Sequence, residues 1–197
     1  MMIKHLIWVL LFMGFSSDSV SNSTELHYDI VMKDKVIGSL DTHQKTKGTI
    51  TTYQSFTSIK TKLLRTIEVD YKYDVTFSKS MLKKAKVSIV VNSREHAETS
   101  TLWKNAQYEI IKDKKESTLQ DSIQYTTVLM YFKEPKNIKE CYSEQDGTMN
   151  TIVSLGNHKY KKINANGKEN IYFYKNGILH EADIDGGLVN FKISIRE

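Results

Sequence analysis

The chain is expected to be mainly β: a single antiparallel, strongly curved sheet, a half-barrel, with one short helix against its concave face. Three observations lead there. From Ile67 to Phe77 the residues alternate without a miss, with Ile67, Val69, Tyr71, Tyr73, Val75 and Phe77 on one side and Glu68, Asp70, Lys72, Asp74 and Thr76 on the other. Successive strand side chains point to opposite faces, so the apolar set faces a core and the polar set faces water. At roughly 3.3 Å per residue this segment reaches about 36 Å, near twice the usual strand, and so long a strand needs a large, curved sheet to pair with. Near the C-terminus Val189, Phe191, Ile193 and Ile195 repeat the one-sided pattern. Only the segment after Asp121 departs from it, with Tyr125, Val128, Leu129 and Phe132 at helical spacing.

The N-terminus predicts the compartment. Lys4 and His5 precede an apolar run from Leu6 to Phe15, followed by the small and polar residues Ser16, Ser17, Asp18, Ser19, Val20 and Ser21. That order is the layout of a cleaved export signal, and the run is about half of the roughly 20 residues a membrane span requires. Residues 1–21 are therefore read as a signal peptide and 22–197 as a single antiparallel β domain, periplasmic or extracellular after cleavage. No cysteine lies near the cleavage zone, so a lipid-modified N-terminus is not expected, and the short apolar run speaks against an integral membrane protein.

The domain then runs as strands joined by short polar turns. Leu26 to Met32 turns through Lys33, Asp34 and Lys35 into Val36 to Lys45, and Lys47-Gly48 opens a strand reaching Ile59. The long strand spans Leu64 to Phe77; Ser78, Lys79 and Ser80 lead into Met81 to Val91, and Ala97 to Trp103 and Gln107 to Lys112 follow. Asp121 is placed to cap a helix that Pro135 closes, and its apolar stripe must lie on the sheet because nothing else is available to bury it. Asn166-Gly167 then separates His158 to Ile163 from Glu169 to Tyr174, and Asn176-Gly177 joins that strand to Ile178 through Ile184. Asn-Gly favours the positive-φ turns whose twist matches the flanking strands. Gly186-Gly187 turns into Leu188 to Ile195.

Composition narrows the chemistry further. Of 197 residues one is cysteine, Cys141, so no internal disulfide exists and the fold must rely on packing. Net charge is +5 and the isoelectric point about 9.0. The lysines are nevertheless scattered among acids. Their densest groups (Lys83, Lys84 and Lys86; Lys112, Lys114 and Lys115; Lys159, Lys161 and Lys162) read as solvated strand ends rather than a nucleic-acid surface. His27, His43, His96, His158 and His180 lack zinc-site spacing, and Glu181, Asp183 and Asp185 lack the pattern of a calcium loop. The local group Glu95, His96 and Glu98 reads as a solvated hairpin end. No nucleophile elbow or phosphate-cradling loop is present. No cofactor, metal or catalytic residue is assigned.

Several short segments carry a resemblance: Tyr28-Asp29, Ile37-Gly38, Tyr131-Phe132-Lys133-Glu134-Pro135, Tyr142-Ser143-Glu144 with Gly147, Tyr160, and Tyr172-Phe173-Tyr174 with Asn176-Gly177. Together, from about Leu26 to the end, the chain resembles a family of uncharacterised exported bacterial proteins, a domain of unknown function. The resemblance implies no activity and no catalytic residues. In layout the chain also resembles the periplasmic lipoprotein-carrier fold, a half-open barrel plugged by helices. Gly38 is expected to serve a bend or bulge in the sheet.

The leading expectation is non-enzymatic binding of a lipid or other apolar ligand, or of a lipidated protein, between curved sheet and helix. Val69, Tyr71, Tyr73, Val75, Phe77, Val128 and Phe132 are the expected ligand-binding residues. Tyrosine supplies an apolar body with a polar tip, which suits a cavity wall. The alternative is an envelope interaction or scaffold domain whose inner face is a filled core.

Overall fold

The computed structural model describes residues 21–62, 66–186 and 190–196. Its strands are β1 (Ser21–Met32), β2 (Lys35–Lys47), β3 (Ile50–Lys62), β4 (Thr66–Ser78), β5 (Met81–Val91), β6 (Arg94–Lys104), β7 (Gln107–Lys112), β8 (Lys115–Leu119), β9 (Glu140–Ser143), β10 (Thr148–Gly156), β11 (Lys159–Ile163), β12 (Glu169–Lys175), β13 (Ile178–Asp185) and β14 (Asn190–Ile195). All belong to one 14-stranded sheet in the order β8-β7-β6-β5-β4-β3-β2-β1-β14-β13-β12-β11-β10-β9. Every pairing is antiparallel, and two meanders meet where β1 pairs with β14. Most of the segment read as a signal peptide, Leu64, and Gly187 through Val189 lie outside the described residues, and Ser21 already begins β1.

Tight turns drive the meander. Lys33–Asp34, Asn92–Ser93, Asn105–Ala106, Asp113–Lys114, Asn157–His158 and Asn176–Gly177 each place both residues at positive φ. That geometry reverses a chain with the twist its strands already have. The loop at Asn166-Gly167 is wider: Asn164 accepts N–H groups from Asn166 and Lys168 through its side-chain oxygen, at 2.9 and 3.0 Å.

The sheet is strongly curved without closing into a barrel. Its β9 end approaches the inner face of β6 and β7, where the hydroxyls of Tyr142 and Thr101 lie 2.7 Å apart and Thr99 donates to the Gln145 carbonyl at 2.8 Å. Gly38 marks a sharp bend. The β1–β2 register shifts between Ile30 and Val31, opposite Gly38, and a Cβ there would fall on the Ser58 carbonyl of β3 and within 2.9 Å of the Ile59 Cα. Only glycine lets the strands approach so closely.

The helix is shorter than its spacing predicts. It is one turn, α1 (Leu129–Phe132), preceded by Val128 with no side-chain cap, and Asp121 is exposed away from it. Tertiary pairing takes the preceding residues. Thr126 bridges Tyr142 in parallel, Thr127 donates to the Tyr142 carbonyl at 3.0 Å, and Tyr142 donates back to Tyr125 at 2.9 Å. The β-branched Thr126, Thr127 and Val128 suit that extended course better than a helix. Two strands, β8 and β10, have no counterpart in the sequence reading. Among the described residues no helix is long and apolar enough to cross a membrane.

Candidate functional site

Strands β8 and β9 stand at opposite edges of the sheet, so residues 120–139 must cross between them, and they do so over the concave face. Tyrosine hydroxyls pin this crossover. Tyr108 donates to the Leu82 carbonyl at 2.9 Å and accepts the Ile123 N–H at 3.2 Å, while Tyr174 donates to the Met130 carbonyl at 3.0 Å. Tyr28, wholly buried, donates to the Leu179 carbonyl at 3.1 Å and packs on the Tyr131 ring.

The segment Tyr131-Phe132-Lys133-Glu134-Pro135 locks the crossover. Phe132 packs on Tyr53, whose ring in turn meets Phe77 edge-on. Glu134, buried, accepts from the Tyr160 hydroxyl at 2.8 Å and pairs with His158 at 2.9 Å and Lys136 at 3.5 Å. Burial alone would raise its carboxyl. The hydrogen bonds from Tyr160 and His158 and the charge of Lys136 outweigh that and hold it below the usual glutamate range. Tyr125 donates to the Lys133 carbonyl.

Beside the crossover the concave face stays open as a cleft of about 360 Å³. Ile30, Thr57, Ile59, Tyr71 and Tyr73 form one wall, with Ile184, Phe191 and Ile193 in the floor and Tyr131 on the crossover side. The far wall is polar: Asn150 of β10, Lys162 and Asn164 near the end of β11, and Asn170 and Tyr172 of β12. Ser143, Gln145 and Asp146 border it, and Tyr73 donates to the Gln145 side-chain oxygen at 3.1 Å. Burial raises the Tyr71 and Tyr73 phenols above their ordinary value, so both remain neutral donors at physiological pH.

The residues expected to bind ligand divide. Tyr71 and Tyr73 border the cleft. Val75, Phe77, Val128 and Phe132 are buried in the core beneath the crossover and do not border it, because Tyr53 and the crossover's own side chains fill the space between helix and sheet. Val69 shares the face of Tyr71 one pair further out and is partly buried, and it too is outside the cleft lining.

One lysine group needs correction. Lys162, read as part of a solvated strand end, is buried at 7 % exposure. It shares the inward face of β11 with Tyr160, opposite Ile152 and Asn170. That alternation, Tyr160 then Lys162, was the available signal; a lysine's ordinary preference for water masked it. Glu144, Asn150 and Asn170 were likewise invisible as site residues. Glu144 is wholly buried and accepts the N–H groups of Thr127 and Val128 at 3.0 and 3.1 Å, closing the start of α1. Burial pushes its carboxyl up, against the pull of those bonds and of Lys162.

Of the other candidate groups, all but Asp185 lie outside the cleft lining. Cys141 is wholly buried, and burial pushes its thiol up to about 12. Glu98 pairs with Lys86 at 2.8 Å, and Glu181 and Asp183 both reach Lys192. Asp185 borders the cleft rim. Among the described residues no group of three or more His, Cys, Asp or Glu is placed to hold a metal ion.

Comparison with known proteins places this architecture. A family model for a domain of unknown function, DUF6134, matches residues 28–196. No curated protein matches the chain. The fold is similar to the crystal structure of a beta-barrel-like protein of domain of unknown function DUF1849 from Brucella abortus, with a TM-score of 0.55 at 12% identity over 88% of this chain and 95% of that one.

Proposed function

The chain belongs to the domain-of-unknown-function family DUF6134, and from that premise we propose that it is a non-enzymatic binding protein, acting outside the cytoplasm, for a lipid or similarly amphipathic small ligand. The observation that carries this is the division of the concave face. The end under the crossover is filled by protein side chains, whereas the other end leaves a cleft of about 360 Å³ with an apolar wall. The volume falls in the range of small-molecule sites. An alkyl or ring body laid on Ile30, Ile59, Tyr71 and Phe191 gains about 0.8 kcal/mol for each methylene removed from water. The ligand then lies beside the helix and not beneath it.

Organic extraction of the purified protein followed by mass spectrometry tests this, together with titration by a neutral fluorescent naphthylamine probe. The expected result is a co-purified amphiphile or saturable probe binding that Tyr71→Asp weakens about tenfold or more, because an unpaired carboxylate on an apolar wall is costly to bury. An empty extract together with no probe binding overturns the proposal.

A further inference from the structure

We propose that the polar wall of the cleft is an acid-binding subsite, in which Lys162 and Asn150 hold a carboxylate that carries a neighbouring N–H or O–H donor, the head-group chemistry of an N-acyl amino acid or a hydroxy fatty acid. This rests on the concave cleft being a ligand site and specifies the other end of the ligand.

Lys162 is nine-tenths buried; its ammonium donates to the Thr127 hydroxyl at 3.1 Å and lies against Tyr172, 6.0 Å from the ring centroid, and among the described residues it forms no ion pair. An ammonium has three donors to place. The buried acid nearby in the chain's packing, Glu144, already engages both oxygens with backbone N–H groups. Burial works against the charge on Lys162, but its surroundings of Tyr172, Cys141 and Glu144 outweigh that and keep its affinity for a proton above the ordinary lysine value, so it is cationic at neutral pH. A cation in a half-enclosed, low-dielectric corner attracts an anion far more strongly than one in water.

Asn150 supplies the complementary feature. It is 3 % exposed, and its side-chain oxygen has no hydrogen-bond partner. The register pairs Lys162 with Ile152, which sets Asn150 diagonally from Lys162 on the same face, about 7 to 8 Å away between Cα atoms. Buried acceptors are nearly always satisfied, so this oxygen is suited to a donor on the ligand. The neighbouring amides add to the donor excess. Asn164 uses its oxygen within its own loop and Asn170 uses its oxygen on the Asp185 N–H, which leaves both NH₂ groups for the cleft. Of the acids at the border, Asp146 is tied to Lys112 at 3.3 Å and to the Ser143 hydroxyl at 2.9 Å, and Asp185 stands at the rim.

The test is competition against the neutral naphthylamine probe with three molecules of equal chain length: N-decanoylglycine, its methyl ester, and decanoate. N-decanoylglycine is expected to bind about ten- to a hundredfold more tightly than its ester, the effect of one or two charge-assisted hydrogen bonds. With each affinity taken relative to the variant's own probe affinity, Lys162→Met should bring the acid to the level of the ester, and Asn150→Leu should remove the advantage of the acylglycine over decanoate. If Lys162→Met does not fold by circular dichroism, the acid-to-ester ratio of the unmodified protein decides. Equal binding of acid and ester, or a Lys162→Met that weakens both alike, overturns the subsite and leaves the apolar cleft standing. No binding of probe or competitors overturns both.

Discussion

Along β4 the inward side chains run Phe77, Val75, Tyr73, Tyr71, and along β3 they run Tyr53, Ser55, Thr57, Ile59. At the first end of each strand the crossover covers them and they join the core; at the other they border open space. The same two strands, with the same period of two, therefore build a filled interior and the wall of an open cleft within a few residues of each other. What differs is the partner above the sheet. Under the crossover Phe77, Val75, Val128 and Phe132 pack shut and the hydroxyls of Tyr108 and Tyr174 are spent on backbone groups, whereas at the open end the Tyr73 hydroxyl reaches the Gln145 side chain and Tyr71 borders open space. Strand patterning chooses the face; the crossover chooses the use.

The sharpest way to break the contrast is Phe132→Ala. It should cost about 3 to 5 kcal/mol of stability by opening a cavity against Tyr53. Chemical denaturation would show it, and probe affinity at the open end should hold in the protein that remains folded. Gly38→Ala comes next. Its Cβ meets backbone of β3, which cannot turn aside as a side chain can, so a loss of about 2 to 3 kcal/mol is expected, this time with weaker probe binding because Ile30 and Ile59 flank the site on either side. Unchanged stability would show that β2 and β3 separate easily.

The smallest effect is pH-dependent. Glu134 is held below the usual glutamate range, so its ionised form favours the folded state: that contribution is complete above the ordinary glutamate value and is lost as pH falls through the lower, folded one. Glu134→Gln should therefore melt below the unmodified protein at pH 7, by about 1 to 2 kcal/mol for a weakened charged hydrogen bond, with the gap closing toward pH 3. A gap independent of pH would mean that the charge of Glu134 contributes nothing to locking the crossover.

Much of this plan was legible in the chain. Period-two alternation located β4 and most of its neighbours, and Asn176-Gly177 announced its turn. The losses have physical causes. Strand β8 is almost wholly exposed and so carries no alternation to read, while β10 leaves Val153 and Leu155 exposed on its outer side, which blurs its pattern. The crossover followed helical spacing because Val128, Leu129 and Phe132 are all buried, yet pairing with β9 decides its backbone, and that pairing joins residues with no local signal. The polar wall was hidden for a different reason. Lys162 obeys the alternation of β11 but breaks the expectation for a lysine, and a single sequence favours the expectation.

The meeting of β1 with β14 has a consequence for how the molecule is made. Arg196 binds Asp29 across 167 residues, at 2.6 Å, and donates its N–H to the His27 carbonyl at 2.8 Å. Strands β1 through β8 can zip as neighbours while they emerge, but the seam waits for β14, which follows the other thirteen strands in the chain, and closing so long a loop is slow compared with forming hairpins. Until then β1 and β13 both present bare edges in what will be the middle of the sheet. The interval between completing β13 and docking β14 is thus the chain's most exposed moment to aggregation, and the one a chaperone would most effectively shorten.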